Sequence, residues 1–180
     1  TTGAFAMVGL PFNQGLLAVI DYYNTHLTGD ELPIVFSHYD DQFDPELALT
    51  YLDNLRTIDD VFAVVGLLGT PTVNYTYQFF LENNIPLIFP FSPSDLVYNE
   101  YSKNNPIIPV QPITYTEGRF MALRALTTSI YGLNQDQAFP SDGKIVILFS
   151  EDENTGYPTM FGIADQLDQL GINWDNVYFL

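Results

Sequence analysis

The chain of 180 residues contains no cysteine. A disulfide frame, a thiol nucleophile and a cysteine zinc site are therefore excluded. Basic residues are also scarce: five Lys and Arg stand against 22 Asp and Glu, a net charge of −17. Without a Lys/Arg patch to neutralise phosphates, nucleic acid is not an expected partner. Anionic membrane surfaces are disfavoured for the same reason. The two histidines, His26 and His38, have no metal-ligand spacing. No apolar run approaches the ~20 residues of a membrane span, so direct membrane insertion is not expected. There is no Gly-Lys-Ser/Thr phosphate loop and no Gly-x-Ser-x-Gly elbow. Lacking a thiol and a base set beside a nucleophile, the chain reads as a binder, not an enzyme, with no cofactor and no metal.

What is present is core-forming material. Apolar residues make up 47% of the chain, with 14 Phe and 12 Tyr. Phe12, Leu16, Val19, Ile20 and Tyr23 recur at helical spacing, and Pro33–Tyr39 reads as a strand. Asp44-Pro45-Glu46 predicts a helix start, with Asp44 as N-cap and Pro45 in the first turn. The apolar run Val61–Leu68 predicts a strand that stops at Gly69-Thr70-Pro71-Thr72 and feeds a helix from Val73. A second short strand, Ile85–Pro90, stops at Phe91-Ser92-Pro93-Ser94-Asp95. Alternation of this kind predicts a parallel sheet with helices on both faces. Asn104–Pro112 carries three prolines and suits a crossing segment better than a strand. The alternation then resumes, with helices at Tyr115–Tyr131 and Thr155–Leu170 and strands at Lys144–Ser150 and Val177–Leu180.

Two neighbouring strand ends that carry hydroxyls form a crevice in an open parallel sheet. A helix N-terminus there adds unpaired N–H groups and a dipole suited to an anionic group. Gly69, Thr70, Thr72, Phe91, Ser92 and Ser94 are therefore the candidate ligand-binding residues of the first part, and Thr155 that of the second. Each has a plainer role. Thr70 and Thr72 can be helix caps, Ser92-Pro93-Ser94-Asp95 can be an ordinary turn, and Phe91 can be core. Asp40, Asp41, Asp44 and Glu46 do not match a calcium loop and read as caps and surface charge. Glu151-Asp152-Glu153-Asn154 reads as a solvated acidic loop.

The order of these motifs resembles the type I periplasmic solute-binding proteins, the leucine/isoleucine/valine-binding group. The resemblance rests on Thr2-Gly3-Ala4-Phe5-Ala6 and the Gly9–Asn24 helix, on Asp40-Asp41 with Asp44-Pro45, and on Gly66 with Gly69–Thr72. Pro90–Leu96, Tyr115-Thr116-Glu117 and Gly156 complete it. There are two departures. His26-Leu27-Thr28-Gly29 carries one glycine where the family has a pair, and Pro93, which has no N–H to offer, stands where the family often has Gly.

The resemblance implies an α/β fold of two lobes, each a parallel sheet flanked by helices, that closes on a small ligand. At this length the chain is expected to be a fragment, with residues 1–111 as lobe 1 and 112–180 as the start of lobe 2. It implies a solute-binding protein of an ABC-type transport system for a small polar, amino-acid-like ligand, with a membrane permease as partner and a periplasmic or extracellular location. The alternative is the extracellular ligand-sensing domain of a membrane receptor of histidine kinase or nucleotide cyclase type. An enzyme on a related α/β fold is the third reading, distinguished by turnover.

Overall fold

Asp44 takes an extended backbone conformation and its carboxylate accepts from the N–H groups of Glu46 and Leu47, at 2.9 and 3.1 Å. That cap, with Pro45 behind it, fixes the start of helix α2, Pro45–Thr57. The computed structural model describes residues 2–3, 5–98, 104–127 and 143–180. Helix α1 spans Ala6–Thr25 with Pro11 inside it. After α2 come strand β1 (Val64–Val65), helix α3 (Thr70–Asn83), strand β2 (Leu87–Ile88) and strand β3 (Ile107–Ile108). Helix α4 (Thr114–Thr127), strand β4 (Ile145–Ile147), helix α5 (Gly156–Gln169) and strand β5 (Val177–Phe179) follow.

The described chain forms two compact units, Thr1–Ser92 with Asn99–Pro109, and Pro93–Tyr98 with Val110–Leu180. The first holds a parallel sheet of order β1-β2-β3, with Val64 opposite Leu87 and Leu87 opposite Ile107. The second holds a parallel pair, β4-β5, with Ile145 opposite Val177. The α/β class with parallel sheets flanked by helices is thus as the sequence predicts.

Several local expectations are corrected. Pro33–Tyr39 enters no strand ladder among the described residues. The Val61–Leu68 strand is regular only at Val64–Val65, because Gly66 (φ 92°) and Leu67 (φ 71°) turn the backbone into the left-handed region. Leu68 rejoins the sheet by a parallel bridge to Phe91. The proline-rich segment does contain a strand, β3. Its prolines are tolerated because the segment is at the edge of the described sheet and gives carbonyls: Pro106 O accepts from Leu87 N and Ile108 O from Phe89 N, both at 3.0 Å. Helix α3 begins at Thr70, three residues before the sequence places it. Pro71 sits in the first turn, where its missing N–H costs no bond. The predicted end of the fourth helix, Tyr131, lies outside the described residues.

Helix α3 buries Thr72, Val73, Thr76 and Phe80, the i, i+4, i+8 face of the helix. With Ala48 and Leu52 of α2, Ile85 ahead of β2, and Leu87 and Ile107 of the sheet, they are among the first unit's buried residues. In the second unit Ala122, Ile147 and Leu167 are buried, with Leu126, Phe149 and Ile163 packed on them. There α4 and α5 meet backbone to backbone. A Cβ at Gly118 would overlap the Thr159 carbonyl, and one at Gly162 the Tyr115 carbonyl. Tyr115 OH then donates to Asp165 (2.9 Å) and Arg119 to Gln166 (3.1 Å) along the same seam.

Candidate functional site

The carboxyl ends of β1 and β2 carry two loops that are tied together. Phe91 N donates to Leu67 O at 3.1 Å and Gly69 N to Phe91 O at 3.0 Å. The turn needed to present these loops is backbone-driven. Gly69 sits at φ 96°, and Leu67 and Phe89 hold positive φ without being glycine. Non-glycine residues in that region carry strain and are concentrated at functional sites. Phe12 of α1 stacks on Phe89 at 5.7 Å between ring centroids and meets Phe91 edge-on at 6.1 Å, so an aromatic wall supports both loops.

At the loops' meeting point Ser92 Oγ donates to Thr70 Oγ1 at 3.1 Å, and both residues are buried. The sequence places Thr70 and Ser92 at neighbouring strand ends, and the structure brings their hydroxyls into direct contact. With Ser92 donating, the Thr70 O–H is available to donate elsewhere. Neither threonine caps α3. The N-cap is Gly69, and no side chain among the described residues accepts from the first turn. Thr72 is fully buried, and its Oγ1 has no hydrogen-bond partner among the described residues. Thr76 Oγ1 bonds the Thr72 carbonyl at 2.8 Å instead. Phe91 is half-buried and belongs to the aromatic wall.

Ser94 has a different place. It belongs to the second unit, where its Oγ accepts from Leu96 N at 3.3 Å and caps a short 3-10 turn, Asp95–Val97. Pro93 of the same stretch accepts from Thr114 N at 3.1 Å, anchoring the stretch to the start of α4. Burial raises the Asp95 carboxyl above its usual range.

Thr155 stands at the start of α5, and its surroundings correct the reading of Glu151–Asn154 as merely solvated. Asp152 accepts from Ser150 Oγ, from the N–H groups of Asn154 (3.1 Å), Thr155 (2.7 Å) and Gly156 (3.1 Å), and from Thr155 Oγ1 (2.8 Å). These bonds, that from Ser150 foremost, hold its carboxyl well below the usual carboxylate range. Thr155 therefore gives its proton to Asp152 and can offer a ligand only a lone pair. The signal was in the sequence: an Asp three and four residues ahead of Thr155-Gly156 can satisfy the first N–H groups of the helix.

Asp40 and Asp41 order the loop before α2. Asp40 accepts from Thr2 N (3.0 Å) and Gln42 N (3.1 Å), and the Thr2 bond chiefly lowers its carboxyl below the usual range. Asp41 accepts from Phe43 N at 3.1 Å, and burial raises it. The loop delivers the Phe43 ring to Gly69, where any Cβ would overlap it. Phe12 and Phe43 are the site-supporting residues the sequence did not single out. Among the described residues no group of three or more His, Cys, Asp or Glu is placed to hold a metal.

A sequence model of the family described as "Periplasmic binding protein" matches residues 1–174. No curated protein matches. Solved structures do. A substrate-binding periplasmic protein from Ralstonia solanacearum is 17% identical, with a TM-score of 0.71, over 99% of this chain and 46% of its own. The branched-chain amino acid transporter substrate-binding protein LivJ from Streptococcus pneumoniae, in complex with isoleucine, is 19% identical, with a TM-score of 0.67, over 98% of this chain and 45% of its own. A solute-binding protein of an ABC transporter from R. palustris, in complex with 4-hydroxybenzoate, is 16% identical, with a TM-score of 0.68, over 99% of this chain and 44% of its own. At these identities the likeness is one of fold. This chain spans under half the length of each.

Proposed function

Because this chain belongs to the periplasmic binding protein family, whose model it matches over residues 1–174, we propose that it is part of a solute-binding protein. The proposed ligand is a small polar molecule with a carboxylate, amino-acid-like in its polar end. The observation that carries this reading is the buried Thr70–Ser92 hydroxyl pair beside an α3 N-terminus that no side chain caps. A carboxylate there meets one hydroxyl donor, helix N–H groups and the positive end of the dipole. Isoleucine and 4-hydroxybenzoate, the ligands of two fold relatives, share that group. Gly69, Thr70, Thr72, Phe91 and Ser92 are the proposed contacts in the first unit. Ser94 and Thr155 are proposed from the second, Thr155 as an acceptor. Binding would proceed by lobe closure and without turnover, in the periplasm or outside the cell, and a membrane permease would receive the solute.

The experiment is calorimetry on the full-length protein with isoleucine and 4-hydroxybenzoate as probes. Thr70→Ala should weaken whichever carboxylate binds by about 1–3 kcal/mol, roughly 5- to 150-fold, by leaving a ligand oxygen short of a donor. Unchanged affinity in both Thr70→Ala and Ser92→Ala would remove this site.

A further inference from the structure

Two groups of phenylalanine rings gather at the loops that carry Thr70 and Ser92, and they differ in how much ring surface is already used. Phe12, Phe89 and Phe91 form a closed triad, with centroids 5.7, 6.1 and 5.9 Å apart, so each ring has two aromatic partners. Phe5 and Phe43 form a pair at 4.3 Å. The edge of Phe43 fills the space a Cβ at Gly69 would take, against the N-cap of α3, and Phe5 packs on its ring. Phe5 is 42% exposed, and Phe43 is its one aromatic partner among the described residues. The backbone that brings this pair to Gly69 is costly. Gln42 and Phe43 are consecutive non-glycine residues at positive φ, 54° and 65°. Asp41 accepts from Phe43 N at 3.1 Å and holds that turn. Gly3, at φ 80°, lets the loop ahead of Phe5 close on it, since a Cβ there would overlap the Gln42 carbonyl. Such strain persists only where the surroundings over-determine it, and it clusters at ligand clamps.

We propose that Phe5, backed by Phe43, is a specificity-determining residue that selects an aromatic carboxylate. The inference rests on the carboxylate site proposed above at the start of α3, and it names the class of acid that fits there. A carboxylate held by the first N–H groups of α3 and the Thr70 hydroxyl lies next to Gly69. Gly69 in turn touches the Phe43 ring. A group bonded to the carboxylate on this side leaves the helix end beside the Phe43–Phe5 pair. An aliphatic chain gains there only by area burial. A planar ring adds stacked or edge-on contact with the open Phe5 ring, which is worth roughly 2- to 12-fold in affinity beyond the area. Area burial alone does not require this build, because a leucine on an unstrained turn supplies it.

The test is calorimetry on the full-length protein with a matched pair of probes, 4-hydroxybenzoate and trans-4-hydroxycyclohexanecarboxylate. The two share a carboxylate, a hydroxyl and a six-membered carbon ring, so area burial does not favour the aromatic one. The unmodified protein should bind the aromatic acid at least about 3-fold more tightly, and Phe5→Leu should bring the ratio to about 1. Thr70→Ala should weaken both acids alike, because it acts on the shared carboxylate. A ratio of 1 or less in the unmodified protein overturns selection by Phe5; if Thr70→Ala still weakens both acids, the carboxylate site itself stands. A ratio that survives Phe5→Leu also overturns it, because another group is then the selector. Absence of binding by both acids at millimolar concentration overturns the aromatic class, and isoleucine binding that Thr70→Ala weakens would still leave the carboxylate site in place. No effect of Thr70→Ala on any of the three removes the site and this inference with it. Should Phe5→Leu fail to fold, Phe5→Ile gives the same reading, since it too keeps an apolar side chain without a ring.

Discussion

Helices α3 and α5 both start from a loop after a parallel strand, yet their N-termini are finished in opposite ways. The start of α5 holds a carboxylate from its own chain: Asp152 takes N–H groups and hydroxyls from Ser150 to Gly156. At the start of α3 Gly69 is the N-cap, no side chain among the described residues accepts, and Ser92 Oγ donates to Thr70 Oγ1. Both ends have the same dipole. The end already supplied with an anion has less to offer a second one, and the end left uncapped still has its N–H donors free of any described side chain. A strand-loop-helix turn is therefore not a site by itself; what its side chains have already satisfied decides.

The comparison can be broken at its glycines first. Gly156→Ala places a Cβ on the Ser150 carbonyl, which is backbone and cannot swing away. We expect a loss of about 3 kcal/mol in urea unfolding of the second unit. Gly69→Ala also strains a positive φ, but the atom it meets belongs to the Phe43 ring. A loss of about 2 kcal/mol is expected, from backbone strain and a displaced ring. A smaller effect at Gly156 than at Gly69 would show that the α5 start is the looser of the two.

The acid limb separates the two ends next. Asp152 has a folded pKa below its unfolded value, so its contribution is present above the unfolded carboxylate range and is lost as pH falls through the folded value. Asp152→Asn should lower Tm at pH 7 and flatten the fall of Tm in acid, measured by thermal melts across pH. An unchanged acid limb would mean that Asp152 is not the group that holds α5.

The smallest expected effect sharpens the α3 side. Thr72 buries a hydroxyl with no partner among the described residues. Thr72→Val removes that unpaired group at nearly constant shape, so the ligand-free protein should gain about 1 kcal/mol by denaturant melt. The same variant should bind the carboxylate probe more weakly. Stabilisation without loss of affinity would make Thr72 a packing residue only.

Much of this was legible in the sequence. The α2 cap was, because Asp44-Pro45-Glu46 acts within one turn. So was the adjacency of Thr70 and Ser92, because each directly follows a predicted strand and successive parallel strands tend to be neighbours. The Pro33–Tyr39 run was misread. Its apolar pattern fits a strand, but a ladder needs a partner at hydrogen-bonding distance and none is among the described residues. The acidity of Asp152 points to solvent, but its spacing to Thr155 and Gly156 points to the first N–H groups of α5, and the spacing decides. The contacts of Phe12 and Phe43 with the loops were not legible, since they reach across long sequence separations; of Phe12 only its place on an apolar helix face was.

The sequence alone determined the class of fold, the order of the helices, and the acidic, cysteine-free character that excludes whole kinds of chemistry. These follow from composition, from apolar period and from caps that act over three or four residues. Only the tertiary structure decided which hydroxyls are spent and which remain to be used. That choice depends on whether a backbone N–H or a neighbouring side chain lies within about 3 Å, and such a distance is set by packing between segments far apart in the chain.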